Sequence, residues 1–271
     1  MRNNKVIILL LMMGLAIFSY PFIANYVSTT GHVKQIENYD EIMKELDEKQ
    51  KKDAERRAKE HNEKIKEEEQ EFIDPFDNGT EKAGSKSYYD ALNIGEVMAV
   101  LDIPKLDLHL PIYHGSNEKV LSKGVGHLEN SALPVGGEGT HSVLTAHRGL
   151  PSATLFRHLD KLEPGDVYFI SVLDETYAYE VQEQNIVLPN ETDWLQQVEG
   201  KELSTLLTCE PYMINTHRLL VTGERVPYEE AREKVSTRRA PKLDRLMVIG
   251  VVILFLFILM VLITKRRKKN E

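Results

Sequence analysis

Two long apolar runs stand near the ends of the chain, and finer patterns of hydrophobic and polar positions fill the space between them. Residues 6–23 (VIILLLMMGLAIFSYPFI) and residues 246–264 (LMVIGVVILFLFILMVLIT) carry no charge. Each is close to the roughly 20 apolar residues that cross a bilayer as a helix, so both are expected to span a membrane. After the first run, HVKQIENYDEIMKELDEKQ spaces Ile36, Tyr39, Ile42, Met43 and Leu46 along one helical face, which predicts an amphipathic helix. Residues 51–71 offer only Ala54, Ala58 and Ile65 as an apolar stripe among many charges, which predicts a mostly solvated helix laced by i,i+4 ion pairs, a stalk or a cover. That helix must end at FIDPFDNG, because Pro75 disfavours helix at Asp74 and Asp77-Asn78-Gly79 has turn chemistry.

From about residue 93 the period changes from helical to alternating. IGEVMAVLDIPKLDLHLPIY, THSVLTAH, DVYFISV, TYAYEVQEQNIVL, STLLTC and RLLVTGERV read as short strands separated by Gly, Pro, Asn and Asp. Only NETDWLQQV and ATLFRHLDKL read as helical connections. The expected class is mainly β, a barrel or sandwich of many short strands. The organisation that follows is a tip and anchor at 1–25, a charged helical region at 26–92, a β domain at 93–228, a linker at 229–245, a second span at 246–264 and a basic tail at 265–271.

Charge adds orientation to this plan. Arg2 and Lys5 precede the first run and KRRKKNE follows the second, and basic flanks stay cytoplasmic, so both termini are expected inside and the middle outside. A cleaved secretory signal is the alternative for the first run, but no small-x-small cleavage site follows it. The formal net charge of -8 says little about partners, and no basic stripe with interleaved aromatics suggests nucleic acid. No C-x-x-C or H-E-x-x-H pattern is present, so neither a metal site nor a cofactor is expected.

The chain of 271 residues has one cysteine, Cys209, which excludes an internal disulfide. It leaves a buried small hydrophobe, an intermolecular bridge or a nucleophile. Cys209 ends STLLTC and precedes Glu210-Pro211, which places it at a strand end facing a loop. The short PYMINTH connection lets RLLVTGERV return beside that strand and brings Arg218 to the same end, although a strand-end arginine reaching solvent fits the spacing equally well. Of nine histidines, His147 sits at another strand end, just before Arg148-Gly149-Leu150-Pro151, whereas His217 should point away from Arg218.

TLLTCEPYMINTHRLLVTGER and TAHRGLPSATLFRHLDKLEPGD resemble the sortases, bacterial cysteine transpeptidases, and within them the class C, pilin-polymerising branch. The resemblance covers about residues 93–226 and implies a closed eight-stranded sortase-type β-barrel with an N-terminal helical and lid segment between two flanking transmembrane helices. It further implies Cys209 as nucleophile, His147 as general acid/base, Arg218 as electrostatic stabiliser and Thr208 as a substrate-binding residue. The DPF triplet resembles the class C lid, in which Asp74 would pair with Arg218 and Phe76 would cover the thiol; a helix-stop turn is the plainer alternative. The implied partners are pilin or surface proteins with LPXTG-like sorting signals, an acceptor amine of a pilin lysine or of a cell-wall precursor, and the membrane of a Gram-positive bacterium. Attachment to cell-wall precursor and a non-catalytic tethered binding module are the competing functions.

Overall fold

The computed structural model describes residues 2–67, 70–77 and 84–238. The expected second span at 246–264 and basic tail at 265–271 lie outside the described residues, as do Asn78 and Gly79 of the helix-stop turn. Among the described residues one helix is long and apolar enough to cross a membrane, the N-terminal α1 (Arg2–Glu45). It joins the first apolar run and the amphipathic stretch into one continuous element rather than two. The apolar part is exposed, with Ile17, Phe18 and Ile23 each more than half accessible, while Ile36, Tyr39 and Met43 are buried against Val97, Val100 and Tyr113.

Helix α2 (Glu48–Glu67) carries the anticipated pairs, Arg56–Glu60 and Lys59–Glu55 among them. It differs from a solvated stalk in one respect: Ala54, Ala58, His61, Asn62 and Ile65 are all buried. Two alanines let the helix axis come close to the barrel, so a stripe poor in bulk still seals. Asn62 completes the contact, donating to the Leu133 carbonyl at 3.0 Å and accepting from its N–H at 2.7 Å. A short helix α3 (Lys86–Asp90) follows the segment 70–77.

Eight strands then close a barrel: β1 (Ala99–Ile103), β2 (Leu108–His114), β3 (Val125–His127), β4 (Thr140–Thr145), β5 (Val167–Val172), β6 (Glu175–Val187), β7 (Glu202–Glu210) and β8 (His217–Val226). Their order around the barrel is β1-β2-β3-β4-β7-β8-β6-β5, with β5 returning to β1. The β2–β3 and β4–β7 pairs are parallel and the rest antiparallel. Closure removes the sheet edges that alternating apolar strands would otherwise expose.

Inward-pointing Leu101, Ile112, Leu144, Ile170, Leu206 and Val221 belong to one buried cluster, and Tyr168 crosses it to donate to the Ser204 carbonyl at 2.7 Å. Gly223 is required there, since a Cβ would lie 2.7 Å from the Tyr168 hydroxyl. Outward-pointing Val143, Val187, Leu207 and Leu220 form a second cluster, covered by Phe72 and Phe76 of segment 70–77. The expected helical connections are reduced to single 3-10 turns at Asp193–Leu195 and Leu159–Lys161. A four-residue helix α4 (Glu118–Leu121) precedes β3, and the expected linker begins as a helix, α5 (Tyr228–Arg238), whose Ala231 packs on Val167 and Phe169.

Candidate active site

Three strand ends meet at one end of the barrel. Strand β7 delivers Cys209 and β8 begins with His217 and Arg218; in the antiparallel register Cys209 is directly opposite Arg218. Residues directly opposite share a sheet face, so thiol and guanidinium lie side by side. Alternation puts them on the outer face with Leu207 and Leu220, while Thr208 and Leu219 point inward. His217 therefore turns away and bonds Thr216 instead.

His147 follows the end of β4, whose parallel partner is β7. Two bonds fix this junction: the Ala146 N–H donates to the Leu207 carbonyl at 3.2 Å, and the Thr208 hydroxyl donates to the Ala146 carbonyl at 2.7 Å. Thr208 is fully enclosed and does not line the cleft. Arg148, 8% exposed, adds a third tie by donating to the Cys209 carbonyl at 3.3 Å and pairing with the Glu210 carboxylate. The residues next to His147 and Cys209 are thus bonded to each other. On its far side His147 presents Nε2 to the Glu118 carboxylate at 3.1 Å.

Segment 70–77 lies across this end. Asp74 accepts from Arg218 twice, from Nε at 2.7 Å and Nη2 at 2.5 Å, in the bidentate geometry that suits a carboxylate and a guanidinium. The remaining Nη1 donates to the carbonyls of Asn215 and His217, so all three guanidinium nitrogens are engaged. Phe76 stands between the two other groups, its ring 5.6 Å from the His147 ring and 5.3 Å below the Arg218 guanidinium. Asn130 and Gln196 hold the start of the segment by donating to the carbonyls of Glu71 and Gln70.

The result is a cleft of about 530 Å³ lined by Asp74, Phe76, Glu118, His147, Cys209 and Arg218, with Tyr89, Ser116 and Glu129 at its other margin. Burial pushes the Cys209 thiol up to about 11; Arg218 and Arg148 oppose that rise and Asp74 adds to it. In this arrangement the thiol is neutral near pH 7 and covered. Among the described residues, no three His, Cys, Asp or Glu side chains are grouped to hold a metal ion.

The structure brings Cys209, His147, Arg218, Asp74 and Phe76 into one cleft and leaves Thr208 behind its wall. Sequence reasoning overlooked Glu118 and the Arg148–Glu210 pair. The second had a signal, because each charge directly follows one of the two singled-out residues.

A closed mixed barrel that gathers thiol, imidazole and guanidinium at one end is the architecture of a cysteine-dependent acyl-transfer enzyme. The sortase domain family matches residues 101–226. Sortase D of Bacillus subtilis is 33% identical over 152 residues, which cover 55% of this chain and 73% of that protein. Among solved structures, sortase C of Streptococcus pneumoniae is 41% identical with a TM-score of 0.66, covering 72% of this chain and 97% of that one. Sortase C-1 of Actinomyces oris is 45% identical with a TM-score of 0.62, covering 65% and 99%. The chain belongs to the sortase family of cysteine transpeptidases.

Proposed function

We propose that this sortase is a class C enzyme that joins pilin subunits, with Cys209 as nucleophile, His147 as general acid/base and Arg218 as the cation that stabilises the oxyanion. The observation that carries the reading is segment 70–77, whose Asp74 engages Arg218 while Phe76 lies against His147. Support also comes from the similar solved structures, one described in terms of pilin substrate specificity and another as a pilus-related sortase C of group B Streptococcus.

With the lid displaced, the Cys209 thiolate attacks the threonine carbonyl carbon of an LPXTG-like signal and a C–S bond forms. The oxyanion that develops is met by the guanidinium freed from Asp74. The C–N bond to glycine then breaks and His147 gives its proton to the departing amine. A pilin lysine amine attacks the thioester carbonyl, loses a proton to His147 and expels the thiolate, leaving an isopeptide bond. Thr208 serves the substrate site from behind, its hydroxyl fixing where β4 and β7 end.

The same reading takes α1 as a membrane anchor, residues 26–92 as helical region and lid, 93–228 as the catalytic barrel and 246–264 as a second span, with both termini cytoplasmic. Cys209→Ala is expected to abolish peptide cleavage and transfer, and His147→Ala or Arg218→Ala to slow both by about 100-fold or more without unfolding the barrel. Near-normal turnover of a folded Arg218→Ala protein would remove Arg218 from the mechanism.

A further inference from the structure

Helix α1 runs the length of the barrel wall, and its contacts fix which end of the barrel faces the apolar run. At the far end the Tyr39 hydroxyl accepts from the Leu173 N–H, in the turn between β5 and β6. Midway, His32 Nε2 lies 2.9 Å from the Lys123 carbonyl. Asn25 then accepts from both the N–H and the hydroxyl of Thr154, at 2.9 and 2.8 Å. Thr154 follows His147 by seven residues, and the β5–β6 turn lies at the end opposite Arg218, which pairs with Val187 at the finish of β6. The helix therefore passes from the far end to the Cys209 end, where residues 9–23 continue as exposed apolar surface.

A second apolar feature stands at that same end. The β7–β8 loop exposes Tyr212, Met213 and Ile214 by 44%, 79% and 68%. Tyr212 lies under the Arg157 guanidinium at 5.6 Å, and Arg157 also donates to the Leu150 carbonyl, so this loop adjoins the 150–157 segment that Asn25 grips. Tyr20 and Tyr26, both more than half exposed, bracket Asn25 on α1 near the end of the apolar run, and exposed aromatic rings are enriched at bilayer interfaces.

We propose that the β7–β8 loop is a second membrane contact: Tyr212, Met213 and Ile214 enter the outer-leaflet interface beside α1, with Arg157 at headgroup level, and the catalytic cleft opens at the bilayer surface. The proposal rests on α1 as the membrane anchor. The exit of α1 by itself does not set the tilt of the barrel, and the proposed span at 246–264 follows the barrel through a separate segment; an apolar contact of the barrel itself on the far side of the Asn25–Thr154 bond limits that tilt. Peptides held at the same surface then meet the cleft at its own height.

The test uses the full chain with Cys209→Ala, which removes the sole thiol, and single cysteines introduced by Leu15→Cys, Met213→Cys or Asp174→Cys. Each is labelled with an NBD fluorophore and reconstituted into phosphatidylcholine vesicles containing phosphatidylglycerol, with quencher-bearing lipids labelled either near the headgroup or deep in the chains. Leu15 should be quenched by the deep label, Met213 by the shallow label about twofold or more, and Asp174 in the β5–β6 turn by neither. Quenching at Leu15 without quenching at Met213 overturns the second contact and leaves the anchor standing. An unquenched Leu15 overturns the anchor reading and the second contact with it. Equal quenching at Met213 and Asp174 also contradicts the proposal, because it removes any preferred end.

Discussion

At the level of single residues, the chemistry turns on what surrounds Cys209. Burial and the Asp74 carboxylate favour the neutral thiol, pushed up to about 11, while Arg218 and Arg148 favour the thiolate. Asp74 acts twice, because it adds negative charge near the sulfur and also occupies the Arg218 guanidinium, the group proposed to meet the oxyanion. Removing the lid contacts by Asp74→Ala/Phe76→Ala should therefore lower the thiol pKa and uncover the sulfur together. The direction in pH follows: alkylation of a thiol rises as pH climbs toward its pKa, so the variant's rise should begin at lower pH than that of the unaltered protein. Each unit of lowering gives about tenfold more thiolate at a fixed pH below both values, partly offset by the lower nucleophilicity of a less basic thiolate. Iodoacetamide rates from pH 6 to 10 measure it, and superimposable profiles for the two folded proteins would leave DPF as a simple helix stop.

At the level of elements, the helices around the barrel are held by polar contacts as well as by apolar ones. Asn62 gives α2 a paired bond to the Leu133 backbone, 1% exposed, and substitution by alanine would strand an N–H and a carbonyl away from water. Asn62→Ala should cost about 2 kcal/mol of stability, and α2 should become an early site of proteolysis. A denaturation midpoint unchanged by that substitution would show that α2 docks through Ala54, Ala58 and Ile65 alone. These contacts also explain which elements were legible beforehand. Strands β1, β2 and β4 to β8 announce themselves by alternation, and the return of β8 beside β7 follows from the short PYMINTH connection. Strand β3 does not, because Val125-Gly126-His127 is too short to show a period. The parallel β4–β7 pairing joins segments about 60 residues apart and leaves no local trace. Burial of α2 was hidden because an alanine stripe gains its value from a groove elsewhere in the molecule. In the site, Cys209, His147 and Arg218 were readable as strand ends, whereas Glu118 reaches His147 only through tertiary placement.

Across the whole molecule, several histidines are folded into places where a proton is unwelcome. Burial drives His127 down to about 3, with Nε2 facing the Ala132 carbonyl, and burial lowers His32, His114 and His141 as well. Because their folded values lie below the ordinary 6.5, the unfolded chain takes up protons first as pH falls. Their stabilising effect is full above about pH 6.5 and is lost progressively below it, by about 1.4 kcal/mol per pH unit for each proton taken up only on unfolding. Urea midpoints should fall from pH 7 to pH 5, and a flat profile would mean these rings are protonated in the folded barrel. The function assigned to the whole chain is tested most directly by intact-mass spectrometry during turnover. Incubated with an LPXTG peptide, the protein should gain the mass of the peptide through its threonine, as a thioester confined to Cys209. On addition of a pilin bearing an acceptor lysine, that mass should leave the enzyme and appear on the pilin. An adduct that persists in Cys209→Ala, or one that forms on Cys209 but passes only to water in the presence of pilin, would contradict the account.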